Sequence, residues 1–206
     1  MTSNIAVIDY GMGNLHSVKK ALNYLNVDPI ITSTKIDIDS ADKIILVGVG
    51  HFKKALENLR SLNIIDALND AVLIRKKPIL GICLGMQLMA KKSEEGNIEG
   101  LGWIDGEIKK FGVKNSLKYK VPHIGWNNIE ITQDSPLMKD IKNNTEFYFV
   151  HSYHFVTKNK KYIVNETKYE DRFISAFQDD NIFGVQYHPE KSHDHGKTLL
   201  KNFIKI

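Results

Sequence analysis

Cysteine is almost missing from this chain of 206 residues. Its one copy, Cys83, excludes an internal disulfide and fits a reducing compartment. Long apolar runs are missing as well. The longest, such as Ile44 to Val49, are far too short to span a bilayer. Met1-Thr2-Ser3-Asn4 leads straight into a short strand-like run, with no basic segment and apolar core of a secretion signal. These absences predict a cytoplasmic protein with no membrane partner. Charge of one sign is modest at +4, and the lysines fall in scattered pairs such as Lys19-Lys20, Lys91-Lys92 and Lys160-Lys161. A nucleic-acid binder needs a concentrated basic stripe with stacking aromatics, so no nucleic-acid partner is expected. No linker, repeat or low-complexity segment interrupts the sequence, and residues 1–206 read as a single domain.

What is present centres on Lys77-Pro78-Ile79-Leu80-Gly81-Ile82-Cys83-Leu84-Gly85-Met86-Gln87-Leu88-Met89. A short apolar run behind a proline crosses a glycine-flanked turn and continues with helix-compatible residues. Gly81-x-Cys83-x-Gly85 is the thiol version of a nucleophile elbow, a sharp strand-to-helix turn that lifts one side chain above a parallel sheet. A thiol at a helix start gains from the helix N-terminus, which can lower a cysteine pKa from ~8.5 to between ~3.5 and ~7.5. The competing reading is a small buried hydrophobe, the commonest state of a free cysteine.

Around this stretch the periodicity predicts strands at Asn4–Tyr10, Pro29–Thr32 and Lys43–Val47, and a helix from Leu15 to Leu25 capped by Asn14. Helical patterns run from about Phe52 to Arg75 with a break at Asn63. Three strand–helix alternations before residue 92 argue for a doubly wound parallel α/β sheet. After Gly96, shorter strands at Trp103–Phe111, Asn128–Ile131, Phe147–Val150, Tyr162–Thr167, Phe173–Gln178 and Ile182–Tyr187 suggest an antiparallel extension. A helix from about His193 to Ile204 closes the chain.

The last of these strands delivers His188-Pro189-Glu190. A residue before proline is pushed into extended geometry, and residues two apart on an extended chain share a side. His188 and Glu190 can therefore face one point, as an imidazole base and the carboxylate that orients it. Cys83 and His188 both follow strands, and ligand crevices in open α/β sheets lie beyond the carboxyl ends of the strands. Leu84 N–H and the Gly48-Val49-Gly50 turn are candidate oxyanion donors, each typically worth ~2.7–4 kcal/mol in a transition state. His188, Glu190, His193, Asp194 and His195 have a metal-site composition, but His193 and His195 point to different faces of the predicted helix, so no metal is expected. His151-Ser152-Tyr153-His154 reads as a strand end with backbone free for substrate contacts.

Taken together, Gly81-Ile82-Cys83-Leu84-Gly85-Met86-Gln87 and Gly184-Val185-Gln186-Tyr187-His188-Pro189-Glu190 resemble the two signatures of the class I (triad) glutamine amidotransferases. Ile8-Asp9-Tyr10-Gly11-Met12-Gly13-Asn14-Leu15, Val121 to Asn127, Phe147 to Tyr153 and His188 to Ser192 are similar to the HisH family, the glutaminase subunits of imidazole glycerol phosphate synthase. The resemblance implies a flavodoxin-like fold with helices on both faces of the sheet. It implies that Cys83 attacks the glutamine side-chain amide, that His188 moves the protons and that Glu190 orients His188. Val49 and Leu84 would supply the oxyanion N–H groups. Gly48, Gly50, Gln87, Glu95, Ser152 and Tyr153 would contact glutamine. Asn14, Trp126, Tyr148 and Lys191 fall where the family docks on its partner, a HisF-type (β/α)8 barrel cyclase that uses the ammonia in histidine biosynthesis. No cofactor is implied.

The sequence departs from the family where Val47 replaces the proline of Pro-Gly-Val-Gly, which restores a backbone N–H and frees φ. His154 and His193 also differ from the commonest pattern. They resemble paralogues that feed ammonia to a HisF-like partner for sugar amidation in surface-polysaccharide biosynthesis, an alternative with the same chemistry. A thiol-sensing flavodoxin-like protein is the reading from outside enzymology, and it leaves His188 and Glu190 without a role.

Overall fold

The computed structural model describes residues 4–206. Met1 to Ser3, where the absence of a secretion signal was partly read, lie outside the described residues. In chain order the elements begin β1 (Ile5–Ile8), α1 (Leu15–Tyr24), β2 (Ile30–Thr32), α2 (Lys35–Ser40), β3 (Lys43–Gly48), α3 (Phe52–Ser61) and α4 (Ile65–Asn69). After a π-helical turn come β4 (Ile79–Cys83), α5 (Leu84–Leu88), β5 (Ala90–Ser93), β6 (Ile98–Glu99) and β7 (Ile104–Lys110). The rest is β8 (His123–Asn128), β9 (Glu130–Ile131), β10 (Glu146–His151), β11 (Tyr153–Val156), β12 (Ile163–Tyr169), β13 (Asp171–Asp179), β14 (Ile182–Val185) and α6 (His193–Lys205).

One sheet runs in the order β2-β1-β3-β4-β14-β13-β11-β7-β5-β6. Its first five strands are parallel, and β13, β11 and β7 continue it antiparallel. A separate two-stranded ladder joins β8 to β10. Alternation along the central strands divides the core. Ala6, Ile8, Ile44 and Leu46 face the side covered by α3 and α4, where Phe52, Ala55, Leu56 and Leu59 pack. Ile5, Val7, Ile45 and Val47 face the other side, against Val18 and Leu22 of α1 and Leu199, Leu200 and Phe203 of α6. Full burial of each such aliphatic side chain stabilises by ~1.5–3 kcal/mol. The result is a doubly wound α/β fold with helices on both faces and an antiparallel extension. Among the described residues no helix is long and apolar enough to cross a membrane.

Two elements were not anticipated and one expected strand is divided. The helix after Cys83 stops at Leu88, and Ala90–Ser93 is a strand, because Met89 and Ala90 carbonyls accept from Ile104 and Gly102 and the segment pairs with β7. Residues 35–40 form a helix that the apolar pattern had not flagged; Thr34 caps it, accepting from Asp37 N–H, and the Asp37 carboxylate returns to the hydroxyls of Thr32 and Thr34. The strand expected at Asn128–Ile131 is two strands separated at buried Ile129, and β11 follows β10 after only Ser152. The break expected at Asn63 is present, with φ of 54°.

Candidate active site

Cys83 ends β4 with φ 54° and ψ −111°, a left-handed conformation that a non-glycine residue holds only when its surroundings enforce it. Gly85 is part of that enforcement. A Cβ there would lie 1.7 Å from the Leu46 carbonyl oxygen, so glycine lets the first turn of α5 rest on β3. Sheet register sets the neighbours of the thiol. Gly48 of β3 is paired with Cys83, while the Val185–Ile82 pair puts Gln186 on the other flank. Because α5 has only five residues, its macrodipole is shorter than the sequence implied. The nearest groups to the sulfur are specific ones. Gln186 Nε2 donates to Sγ at 3.6 Å, and the thiol faces the Val150 carbonyl at 3.8 Å.

His188 follows β14 in extended backbone, φ −104° and ψ 92°, as expected before proline. Its Nδ1 lies 2.7 Å from Glu190 Oε1, and both side chains are wholly buried. The loop is locked from behind. Ser192 Oγ donates to the His188 carbonyl at 2.6 Å and accepts from Tyr148 N–H at 3.0 Å, while His188 N–H donates to the Tyr148 carbonyl. At the other end of the ring, Nε2 is buried without a hydrogen-bond partner. Burial pushes the His188 pKa down, but negative charge on the Cys83 sulfur, and next Glu190, outweigh it and raise the pKa to about 10. An imidazole free at Nε2, held by a carboxylate and sensing the sulfur's charge, can exchange a proton with whatever stands on Cys83.

A cleft of about 390 Å³ opens over the thiol, and Val49, Gly50, Leu84, Gln87, Ser152 and Tyr153 help to line it. Glu95 lines it too, and its Oε2 accepts from Phe52 N–H at the start of α3 at 2.8 Å. Gly48 is placed otherwise. It is buried under the Tyr10 hydroxyl, which a Cβ at this position would approach to 1.9 Å. Of the residues expected at a partner surface, Asn14 caps α1, accepting from Ser17 N–H. Trp126 and Tyr148 meet edge-on with ring centroids 6.0 Å apart, and Lys191 Nζ lies 5.8 Å from the Tyr148 centroid. His193 stacks flat on Trp126 at 5.0 Å. Among the described residues no group of three or more His, Cys, Asp or Glu side chains is placed to hold a metal ion.

Several site residues were not singled out from sequence. Gln186 sits inside a signature but carries no chemical label, and only strand register reveals its contact with the sulfur. Tyr10 has a buried hydroxyl without a partner, and burial, with the Cys83 charge added, raises its pKa. His123 of β8 faces His151 of β10, read from sequence only as part of a strand end, Nδ1 to Nε2 at 3.1 Å. Burial lowers the His123 pKa to about 4 and holds His151 well below the ordinary histidine range.

Comparison with known proteins assigns the chain to a class. The family described as glutamine amidotransferase class-I matches residues 6–206. Among solved structures, PurLQS from Thermotoga maritima superposes with a TM-score of 0.75 over 100% of this chain and 99% of that one, at 18% identity. A second structure described only as a glutamine amidotransferase gives a TM-score of 0.76 at 15% identity, covering 98% of this chain and 97% of that one. These two support the fold alone. In sequence, imidazole glycerol phosphate synthase subunit HisH 2 of Methanococcus maripaludis is 48% identical over 98% of both chains. Subunit HisH 1 of Campylobacter jejuni (strain RM1221) is 46% identical over 98% of this chain and 100% of its own. Subunit HisH 2 of Pseudomonas aeruginosa is 41% identical, covering 98% and 99%. The chain belongs to the class I glutamine amidotransferases and, within them, to the HisH family of glutaminase subunits.

Proposed function

We propose that this chain is the glutaminase subunit of an imidazole glycerol phosphate synthase. It hydrolyses glutamine to glutamate and ammonia, and a HisF-type (β/α)8 barrel consumes the ammonia in histidine biosynthesis. The observation that carries the reading is the His188–Glu190 pair at 2.7 Å, its Nε2 unpartnered, just beyond the strand beside the one that ends in Cys83. In this mechanism the Cys83 thiolate, its proton held by His188, attacks the side-chain carbonyl carbon of glutamine. The oxyanion is held by the N–H groups of Val49 and Leu84, which line the cleft. His188 returns the proton to the departing nitrogen, which leaves as ammonia. It then takes a proton from water, whose attack on the thioester releases glutamate and the thiol. Glu190 fixes the ring and offsets its positive charge.

Substrate selection follows from hydrogen-bond polarity. Gln87 Nε2 already donates to the Tyr153 carbonyl at 3.0 Å and to Gln186 Oε1 at 2.9 Å. Only its oxygen remains to meet a ligand, and an amide oxygen accepts from N–H groups. Glutamine carries such donors in its amide and its ammonium. Gly50, Glu95 and the backbone at Ser152 complete the pocket, with Gly48 shaping it from below. The docking face is assigned to Asn14, Trp126, Tyr148 and Lys191, beside Ile124, which is 59% exposed, and Trp126, which is 44% exposed. That face supports a heterodimer.

The test is glutamate release by the purified chain, alone and with the HisF-type cyclase of the same organism, with and without the cyclase's nucleotide ligand. Stimulation by cyclase and ligand is expected, and Cys83→Ser abolishes it while leaving the fold intact. Activity that ignores this cyclase and responds to another barrel protein would transfer the ammonia to sugar amidation.

A further inference from the structure

A continuous run of hydrogen bonds ends on the nucleophile. Asn127 Nδ2 lies 3.3 Å from His123 Nε2, His123 Nδ1 lies 3.1 Å from His151 Nε2, and His151 Nδ1 lies 2.8 Å from the Tyr153 carbonyl. The same carbonyl accepts from Gln87 Nε2 at 3.0 Å. Gln87 Nε2 also donates to Gln186 Oε1 at 2.9 Å, and Gln186 Nε2 donates to Cys83 Sγ at 3.6 Å.

One group fixes the polarity of the whole run. Ring tautomers and amide orientations are ordinarily ambiguous because N and O ends can exchange. The Tyr153 carbonyl can only accept. It therefore fixes the Gln87 nitrogen on its side, and that nitrogen's second hydrogen fixes the Gln186 oxygen. The Gln186 –NH2 is left facing the sulfur. In the other direction it makes His151 a donor at Nδ1, so His151 Nε2 accepts from His123 Nδ1–H and His123 Nε2 accepts from Asn127. Lowered histidine pKa values agree with this neutral arrangement. Gln186 is fully buried, and its backbone N–H is tied to the Ser175 carbonyl at 2.8 Å, so the backbone that carries the amide is fixed as well.

We propose that Gln186 is a further catalytic residue: a fixed N–H donor that stabilises the Cys83 thiolate and whose orientation is set by the Tyr153 carbonyl through Gln87. This rests on the glutaminase reading only for what the thiolate then attacks. In the thiol form the sulfur faces the Val150 carbonyl, an acceptor that disfavours negative charge. Gln186 supplies the opposing donor, and a hydrogen bond to the charged form favours ionisation. It does so without carrying charge itself, which leaves His188 as the group that moves protons. The same amide accepts from the residue whose free oxygen meets the substrate, so the grip on the sulfur and the shape of the pocket are one structure.

The experiment reads the thiol without glutamine. Cys83 is the sole cysteine, so iodoacetamide incorporation followed by mass reports on it alone. Gln186→Glu keeps the volume and the bond from Gln87 but turns an acceptor toward the sulfur. Gln186→Met removes the donor altogether. Both are expected to alkylate about tenfold more slowly at pH 7, with the pH profile displaced by about one unit toward alkaline. Folded variants whose rates stay within twofold of wild type across the pH range, with no displacement, would overturn the proposal and leave Gln186 as packing. If Gln186→Met does not fold, Gln186→Glu decides. Loss of fold in both assigns the residue to the core and equally overturns it. A wild-type chain that releases no glutamate with any partner, while the variants still show the displaced profile, sinks the glutaminase reading and leaves this proposal standing.

Discussion

At the scale of single residues, the site mixes groups that are satisfied with groups that are not. Tyr10 buries a hydroxyl with no partner against Gly48 and the elbow. An unmade buried hydrogen bond costs about 1–3 kcal/mol, so Tyr10→Phe is expected to stabilise the free chain by roughly 1 kcal/mol in urea unfolding. A clear loss of stability would mean that the hydroxyl is bonded in solution. His188 gives a pH signature of definite sign. Its pKa in the fold is raised from the ordinary 6.5 to about 10, so protonated His188 is favoured by folding. The stability it contributes is complete below about pH 6.5 and disappears as pH rises toward 10. The gap in unfolding midpoint between wild type and His188→Gln should therefore shrink across that window. A constant gap would show that the imidazole is not held charged.

Between elements, the most informative contacts are those where backbone meets backbone. The Gly85 position admits no side chain against the Leu46 carbonyl, and Gly85→Ala must push α5 off β3. We expect a loss of ~1–3 kcal/mol or more from this overpacking, read by thermal unfolding, together with slower alkylation of Cys83 as the elbow relaxes. The junction of β8, β10 and β11 brings together His123, His151 and His154, which packs its ring on Phe111 with centroids 4.7 Å apart. Burial lowers the pKa of all three. Here the sign is opposite to that of His188. Neutral histidine is favoured in the fold, so stability is complete above about pH 6.5 and falls as pH drops toward 4. His154→Phe keeps the stacked ring and removes one titrating group, so its stability should decline less steeply over that range. An acid limb as steep as wild type would dissociate His154 from acid sensitivity.

For the whole molecule, the parallel half of the sheet does the positioning. β3, β4 and β14 are adjacent and point the same way, so Gly48, Cys83 and Gln186 come side by side although they lie far apart in sequence. The two-stranded β8–β10 ladder stands beside that edge and turns Trp126 and Tyr148 outward, next to Lys191 and His193. Aromatic anchors of this kind carry most of the energy in protein interfaces. Trp126→Ala is expected to weaken association with the proposed cyclase barrel at least tenfold by calorimetry. Unchanged affinity would place the docking face elsewhere.

Much of this was legible in the chain itself, because the informative signals are local. Glycines around a lone cysteine mark the elbow, a proline fixes the backbone of the preceding histidine, and the spacing of His188 and Glu190 puts them on one side. Alternating aliphatics define the parallel strands. Where the sequence was silent, long-range pairing decided: no element was expected at Ala90–Ser93, which becomes a strand because β7 lies within hydrogen-bonding reach. Gln186 has no distinguishing chemistry until β14 lies against β4, and the direction of its amide is fixed only by a carbonyl thirty-three residues earlier. Sequence by itself determined the strands that lead to Cys83 and His188 and the pairing of His188 with Glu190. Tertiary structure alone decided which donors surround the sulfur and which way they point, since hydrogen-bond polarity belongs to the assembled network and not to any segment of it.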